Sequence, residues 1–193
     1  MFTFTITVLN RKPLNQRVIS LHPECTFDTL AHIICELFGF SGEHLREFRV
    51  DDQLIINHPL YQVDESMSIE FNDPEFGDLQ GIITNKAGDK TTLQDVFTNH
   101  TTMEFIYDFG DERRFEVRFT QANNLSHKSH KIIEKTYELI STQGTYLLED
   151  CGGPDMLREY LDQYAHQKRD GDLRETWEDF AERIQPALCT YKK

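Results

Sequence analysis

Two short stretches set carboxylates against glycine: Tyr107-Asp108-Phe109-Gly110-Asp111 and Glu149-Asp150-Cys151-Gly152-Gly153-Pro154. Glycine lets a chain reverse sharply, and a sharp reversal gathers neighbouring side chains. The donors so gathered are Asp108, Asp111, Glu149 and Asp150, with Cys151 and His44 as further candidates to complete a site. Several converging oxygens suit a hard divalent cation, whereas zinc prefers nitrogen and sulfur. Asp108, Asp111 and Asp150 are the candidate metal ligands, although neither the spacing of a calcium loop nor that of a zinc site is present. The competing reading is structural: aspartates cap turns and helix N-termini through backbone N–H groups. Gly110, Gly152 and Gly153 then shape the turns, with Gly110 expected at positive φ, and Pro154 opens a helix where its missing N–H costs nothing.

Nucleophilic chemistry has one candidate. Cys151 precedes an expected helix N-terminus, which would lower its thiol pKa. No histidine adjoins it in sequence to act as base, so a small residue packed in a tight turn is the simpler account. Asp108-Phe109-Gly110 is not a kinase signature, since the chain carries no Gly-rich loop and no His-Arg-Asp segment. No catalytic residue and no organic cofactor is predicted; a divalent metal is the one ligand the donors suit.

The elements that must position these residues are written in the hydropathy pattern. Residues 2–8 alternate, with Phe2, Phe4, Ile6 and Val8 on one face. Arg11-Lys12-Pro13-Leu14-Asn15 reads as a turn, and residues 16–22 return antiparallel. Thr26 is placed as an N-cap, followed by Phe27, Leu30, Ile34, Leu37 and Phe38 at helical spacing and by Gly39 as terminator. Residues 44–50 form a third strand, giving strand-strand-helix-strand. Further on, 67–71 reads as a short strand, 72–91 as a long loop, and Thr92 as the cap of one helical turn through Phe97. Residues 103–107 and 114–120 form a hairpin around Asp108–Asp111. Residues 131–140 fit helix or strand, with strand preferred. The C-terminal apolar stripe of Tyr160, Tyr164, Trp177 and Phe180 predicts a helical hairpin, broken at Asp170-Gly171-Asp172 and ending at Pro186. At helical spacing such a stripe is core before it is a binding face.

A chain of 193 residues with 38% hydrophobic residues can bury a substantial core. The net charge of −13 disfavours direct nucleic-acid binding, and the stretch His127, Lys128, His130, Lys131, Lys135 reads as solvated lysines. The four cysteines form no disulfide framework. With no signal peptide and no apolar run of about 20 residues, a cytoplasmic protein without membrane association is expected.

The order of these features resembles one family. Strand-strand-helix-strand, then His44-Leu45-x-x-Phe48, then Tyr107–Asp111, then Glu149–Pro154, is similar over roughly residues 1–165 to the plasmid pRiA4b ORF-3-like proteins, also labelled passenger TnpR proteins of insertion elements. The resemblance implies an α+β fold with a mixed or antiparallel sheet whose first part is β-grasp-like. With the C-terminal helix pattern, the expected division is an α+β domain over 1–153 and a helical extension over 154–193 packed on it. The resemblance also implies an association with plasmids and mobile elements but no defined activity. The chain departs from the family pattern at Arg113 and Phe115, where Trp and His are usual. It departs again at Gly144-Thr145-Tyr146-Leu147-Leu148, where a Cys and a Pro-Pro pair are usual.

The expected function is a non-enzymatic binding or accessory module with a protein partner. One alternative is a metal-dependent or nucleic-acid-processing enzyme using the Asp/Glu turns. Another is an acidic DNA mimic, which would require its charges in rows at phosphate-like spacing.

Overall fold

The computed structural model describes residues 1–9, 14–51, 54–57, 66–73, 77–120, 137–169 and 175–191. The Arg11–Pro13 part of the first turn, the 127–135 lysine stretch, residues 131–136 and the 170–172 helix break lie outside them.

The architecture is α+β, as expected: among the described residues, one mixed sheet with four helices. The strands are β1 (Phe2–Val8), β2 (Gln16–Leu21), β3 (Arg46–Arg49), β4 (Leu54–Asn57), β5 (Ser66–Asp73), β6 (Gly77–Ala87), β7 (Thr102–Tyr107), β8 (Arg113–Thr120) and β9 (Tyr137–Gln143). They lie in the order β5-β6-β4-β3-β7-β8-β1-β2-β9. Among the described strands every pairing is antiparallel except β4 with β6. The helices are α1 (Phe27–Phe38), α2 (Leu93–Phe97), α3 (Gly153–Arg169) and α4 (Trp177–Tyr191). No helix among the described residues is long and apolar enough to cross a membrane.

The local signals explain the first fifty residues. Phe4 and Ile6 are fully buried from β1, and Phe27, Leu30, Ile34 and Phe38 from α1, so the two apolar faces meet. Thr26 Oγ1 accepts the Thr29 N–H at 3.2 Å, and Gly39 closes α1 at φ 85°. Edge-to-face and tilted rings join the layers, as in Phe27–Phe48 and Phe38–Phe115 with centroids 5.2 and 4.9 Å apart. The core extends to the C-terminal helices. Leu157, Trp177 and Phe180 are buried, and Tyr164 packs on both Trp177 and Phe180. Trp177 and Phe180 of the aromatic stripe are therefore core, and Tyr160 and Tyr164 pack half-buried against it.

Two expectations fail, and one strand carries no sequence signal. The loop foreseen over 72–91 is largely strand: β5 runs to Asp73, and β6 holds register from Ser66↔Thr84 to Asp73↔Gly77. Gly77, Asp78, Gly81 and Asn85 are poor strand formers, but ladder bonds to β5 and β4 override local propensity. β4 was not foreseen, because four residues are too short for a periodic pattern. The last helix continues through Pro186 to Tyr191. Proline removes one helical N–H bond, and that loss did not end the helix.

The one-turn helix α2 carries a pH-dependent cap. The Thr92 N–H and Oγ1 both donate to Asp95 Oδ2, at 2.9 and 2.6 Å. These bonds hold the Asp95 carboxyl below its ordinary value. A depressed folded pKa contributes stability above the unfolded value, lost as pH falls through the folded one. The Tm gap between wild type and Asp95→Ala is therefore expected at neutral pH and should close below about pH 4. Thermal melts across that range check it.

Candidate functional site

The β7–β8 hairpin presents the first acidic turn. Register runs to Tyr107↔Arg113, leaving residues 108–112 as the loop. The left-handed conformation falls on Asp108 (φ 57°) and Glu112 (φ 52°), not on Gly110. Asp108 tolerates it because its Oδ1 accepts the Gly110 and Asp111 N–H groups, at 3.1 and 3.3 Å, as an Asx turn does. The expectation of positive φ at Gly110 is thus corrected. A Cβ at Gly110 would meet only Asp108 Oδ1 at 3.3 Å. Gly110→Ala is accordingly expected to cost less than about 1 kcal/mol in urea unfolding.

The second turn, 149–153, does need its glycines. Gly152 and Gly153 sit at φ 81° and 89°, and Asp150 at 52°. They carry the chain from the buried Leu147 and Leu148 into α3, where Pro154 lies in the first turn.

The two turns meet. The Gly152 N–H donates to Asp111 Oδ2 at 3.2 Å, and Arg113 Nη2 lies 3.2 Å from that oxygen. The same Nη2 reaches the Leu148 carbonyl at 3.1 Å and Cys151 Sγ at 2.6 Å. Asp111, Arg113 and Cys151 are all buried. They form a clamp beneath the surface, and Asp111 and Cys151 are spent within it. Burial pushes the Cys151 thiol up despite Arg113, and pushes Cys35 up to about 12. The expected lowering at Cys151 is therefore reversed: desolvation outweighs both its position before a helix and its cationic neighbour.

On the outer side a different set converges. His44 Nδ1 lies 3.8 Å from Asp108 Oδ1, and Nε2 lies 3.7 Å from Glu149 Oε1 and 3.5 Å from Asp150 Oδ1. Ligand atoms of His44, Asp108 and Asp150 all fall within 4.8 Å of one another. Glu149 is a positioning residue. It accepts the Ser41 N–H and Oγ–H, both at 3.0 Å, and the Tyr107 hydroxyl. The Tyr107 hydroxyl in turn accepts the Gly42 N–H at 3.0 Å and the His44 N–H at 3.4 Å. Burial and the Glu149 bond raise the phenol well above its ordinary value, so it stays a donor. Tyr107 thus ties the 41–44 segment to the second turn and fixes the backbone that carries His44.

Of the predicted residues, His44, Asp108, Glu149 and Asp150 form the outer notch. Asp111 and Cys151 face inward, away from the candidate ligand set. Tyr107, Ser41 and Arg113 were missed as participants. Tyr107 opens the first acidic stretch, and a tyrosine next to paired acids is a signal for a buried hydroxyl needing a partner. Arg113, noted only as a departure, supplies the cation that a buried Asp111 requires.

Comparison with known proteins agrees with this fold. The crystal structure of a protein of unknown function, MM3350 from Methanosarcina mazei Go1, superposes with a TM-score of 0.61 at 16% identity, covering 100% of this chain and 88% of that one. That likeness is one of fold. No curated protein matches the chain. The sequence profile described as plasmid pRiA4b ORF-3-like protein matches residues 1–192, beyond the roughly 165 residues of the sequence resemblance. The chain belongs to the plasmid pRiA4b ORF-3-like protein family.

Proposed function

We propose that the protein is a non-enzymatic accessory module whose recognition site is the notch around His44, and that the notch takes a divalent cation. One observation carries the reading. The three segments on which the family resemblance rests, 44–48, 107–111 and 149–154, bring His44, Asp108 and Asp150 to within 4.8 Å of one another. A mixed nitrogen and oxygen set of this kind suits zinc or manganese rather than calcium. The hydrophobic rim supports a protein partner. Leu45 and Phe109, next in sequence to His44 and Asp108, are 43% and 42% exposed. A cation held by three protein ligands keeps positions open for a partner carboxylate.

A metal-dependent enzyme is the second reading. It is favoured by the 45% exposure of the Asp150 side chain, which leaves the notch open to water. Native mass spectrometry after chelation and resupply of Zn²⁺ or Mn²⁺ tests the site. One ion per chain is expected for wild type and none for Asp108→Asn/Asp150→Asn. Wild type without an ion at millimolar metal would overturn the proposal. Metal-dependent turnover of a phosphodiester would favour the second reading.

A further inference from the structure

A cleft lies at the β2–β9 edge of the sheet. Of about 680 Å³, within the range of small-molecule sites, it opens against α3 and α4 and shares no lining residue with the His44 notch. Arg17 lines it and is only 4% exposed. No carboxylate among the described residues pairs with Arg17, on a chain of net charge −13. Its partners are neutral oxygens and the face of the Phe38 ring, whose centre lies 4.7 Å from Cζ. Nε donates to the Leu37 carbonyl, and Nη1 to Asn15 Oδ1 and the Gln16 and Gln143 carbonyls. Among the described residues Nη2 has one acceptor, the Thr145 carbonyl at 3.3 Å, which leaves a second N–H for a ligand oxygen. A buried guanidinium without an anion is costly, and an anion at the cleft would relieve that cost.

The rest of the lining fits such a ligand. Tyr146 is 44% exposed and lines the cleft. Lys168 Nζ lies 5.7 Å from the centre of the Tyr164 ring. Of the two acids at the rim, Glu175 is held by Arg183 at 3.1 and 3.3 Å, leaving Glu178 as the acid an anion must avoid.

We propose that this cleft binds a small oxyanion carried on a planar ring, an aryl phosphate or aryl carboxylate. Arg17 and Lys168 take the oxyanion, and Tyr146 and Tyr164 flank the ring. The chain has one tryptophan, Trp177, and it lines this cleft, so its fluorescence reports directly.

The full chain is titrated with phenyl phosphate, with benzoate and with neutral phenol. Saturable fluorescence changes are expected with the anions and not with phenol, and the tighter anion identifies the group. Arg17 also holds the backbone, so its variants risk unfolding. Lys168→Ala and Tyr146→Ala are surface changes, and the first should weaken binding about tenfold, the scale of one charged hydrogen bond. No saturable response at millimolar anion would overturn the proposal. Equal binding of phenol, or unchanged affinity in both variants, would overturn it too.

Discussion

Asp111→Ala is expected to destabilise the protein by about 3–5 kcal/mol, because it strands Arg113 as a buried charge. Arg113 is 4% exposed, and Asp111 Oδ2, 3.2 Å away, is the carboxylate paired with it among the described residues. Removing the carboxylate also leaves the Gly152 N–H without that acceptor, in the turn that opens α3. The guanidinium is already incompletely satisfied, since its Nε is buried without a partner among the described residues. Arg113→Met should be costly for the mirror reason, an uncompensated carboxylate. The double variant Asp111→Leu/Arg113→Met removes both charges and should recover much of the loss. Urea unfolding of the four proteins forms the cycle. Additive losses would mean that the pair does not act as a unit.

Gly144→Ala should cost more than about 2 kcal/mol, for two reasons that add. Gly144 sits at φ 90°, which an L side chain resists. A Cβ there would lie 2.7 Å from the Asn15 side chain and 2.9 Å from its Cα. Asn15 cannot retreat: it is buried, it donates to the Thr145 carbonyl at 2.8 Å, and it accepts from Arg17. The strain would spread through the carbonyl cage around Arg17. The contrast with Gly110→Ala is the point of the measurement, since the two loop glycines differ in conformation rather than in exposure. Thermal melts giving the two variants equal Tm values would remove this account of both turns.

The two glycines also show what could be read from sequence. Caps, turns and alternating strands are local, so Thr26, Gly39, β1 and the β7–β8 hairpin were legible. β6 was not, because its glycines and aspartate speak for a loop and only the ladders to β4 and β5 make it a strand. Meeting of the two acidic turns was foreseen, and the bond between Gly152 and Asp111 joins them. The division of labour within them was not foreseen. Asp108 and Asp111 stand three positions apart on one loop, yet one faces His44 and the other Arg113. That split depends on αL residues at 108 and 112, where local reasoning placed the positive φ at the intervening glycine. Arg113 and Cys151 are 38 positions apart, and nothing in the local pattern of either announces the contact.

The cation site is tested most directly by paramagnetic broadening of histidine ring protons under Mn²⁺ titration. The account predicts that His44 broadens first, at a Mn²⁺ level too low to affect the exposed rings of His22 and His166, and that Asp108→Asn/Asp150→Asn abolishes this selectivity. Uniform broadening of all the histidines, unchanged in the double variant, would contradict it.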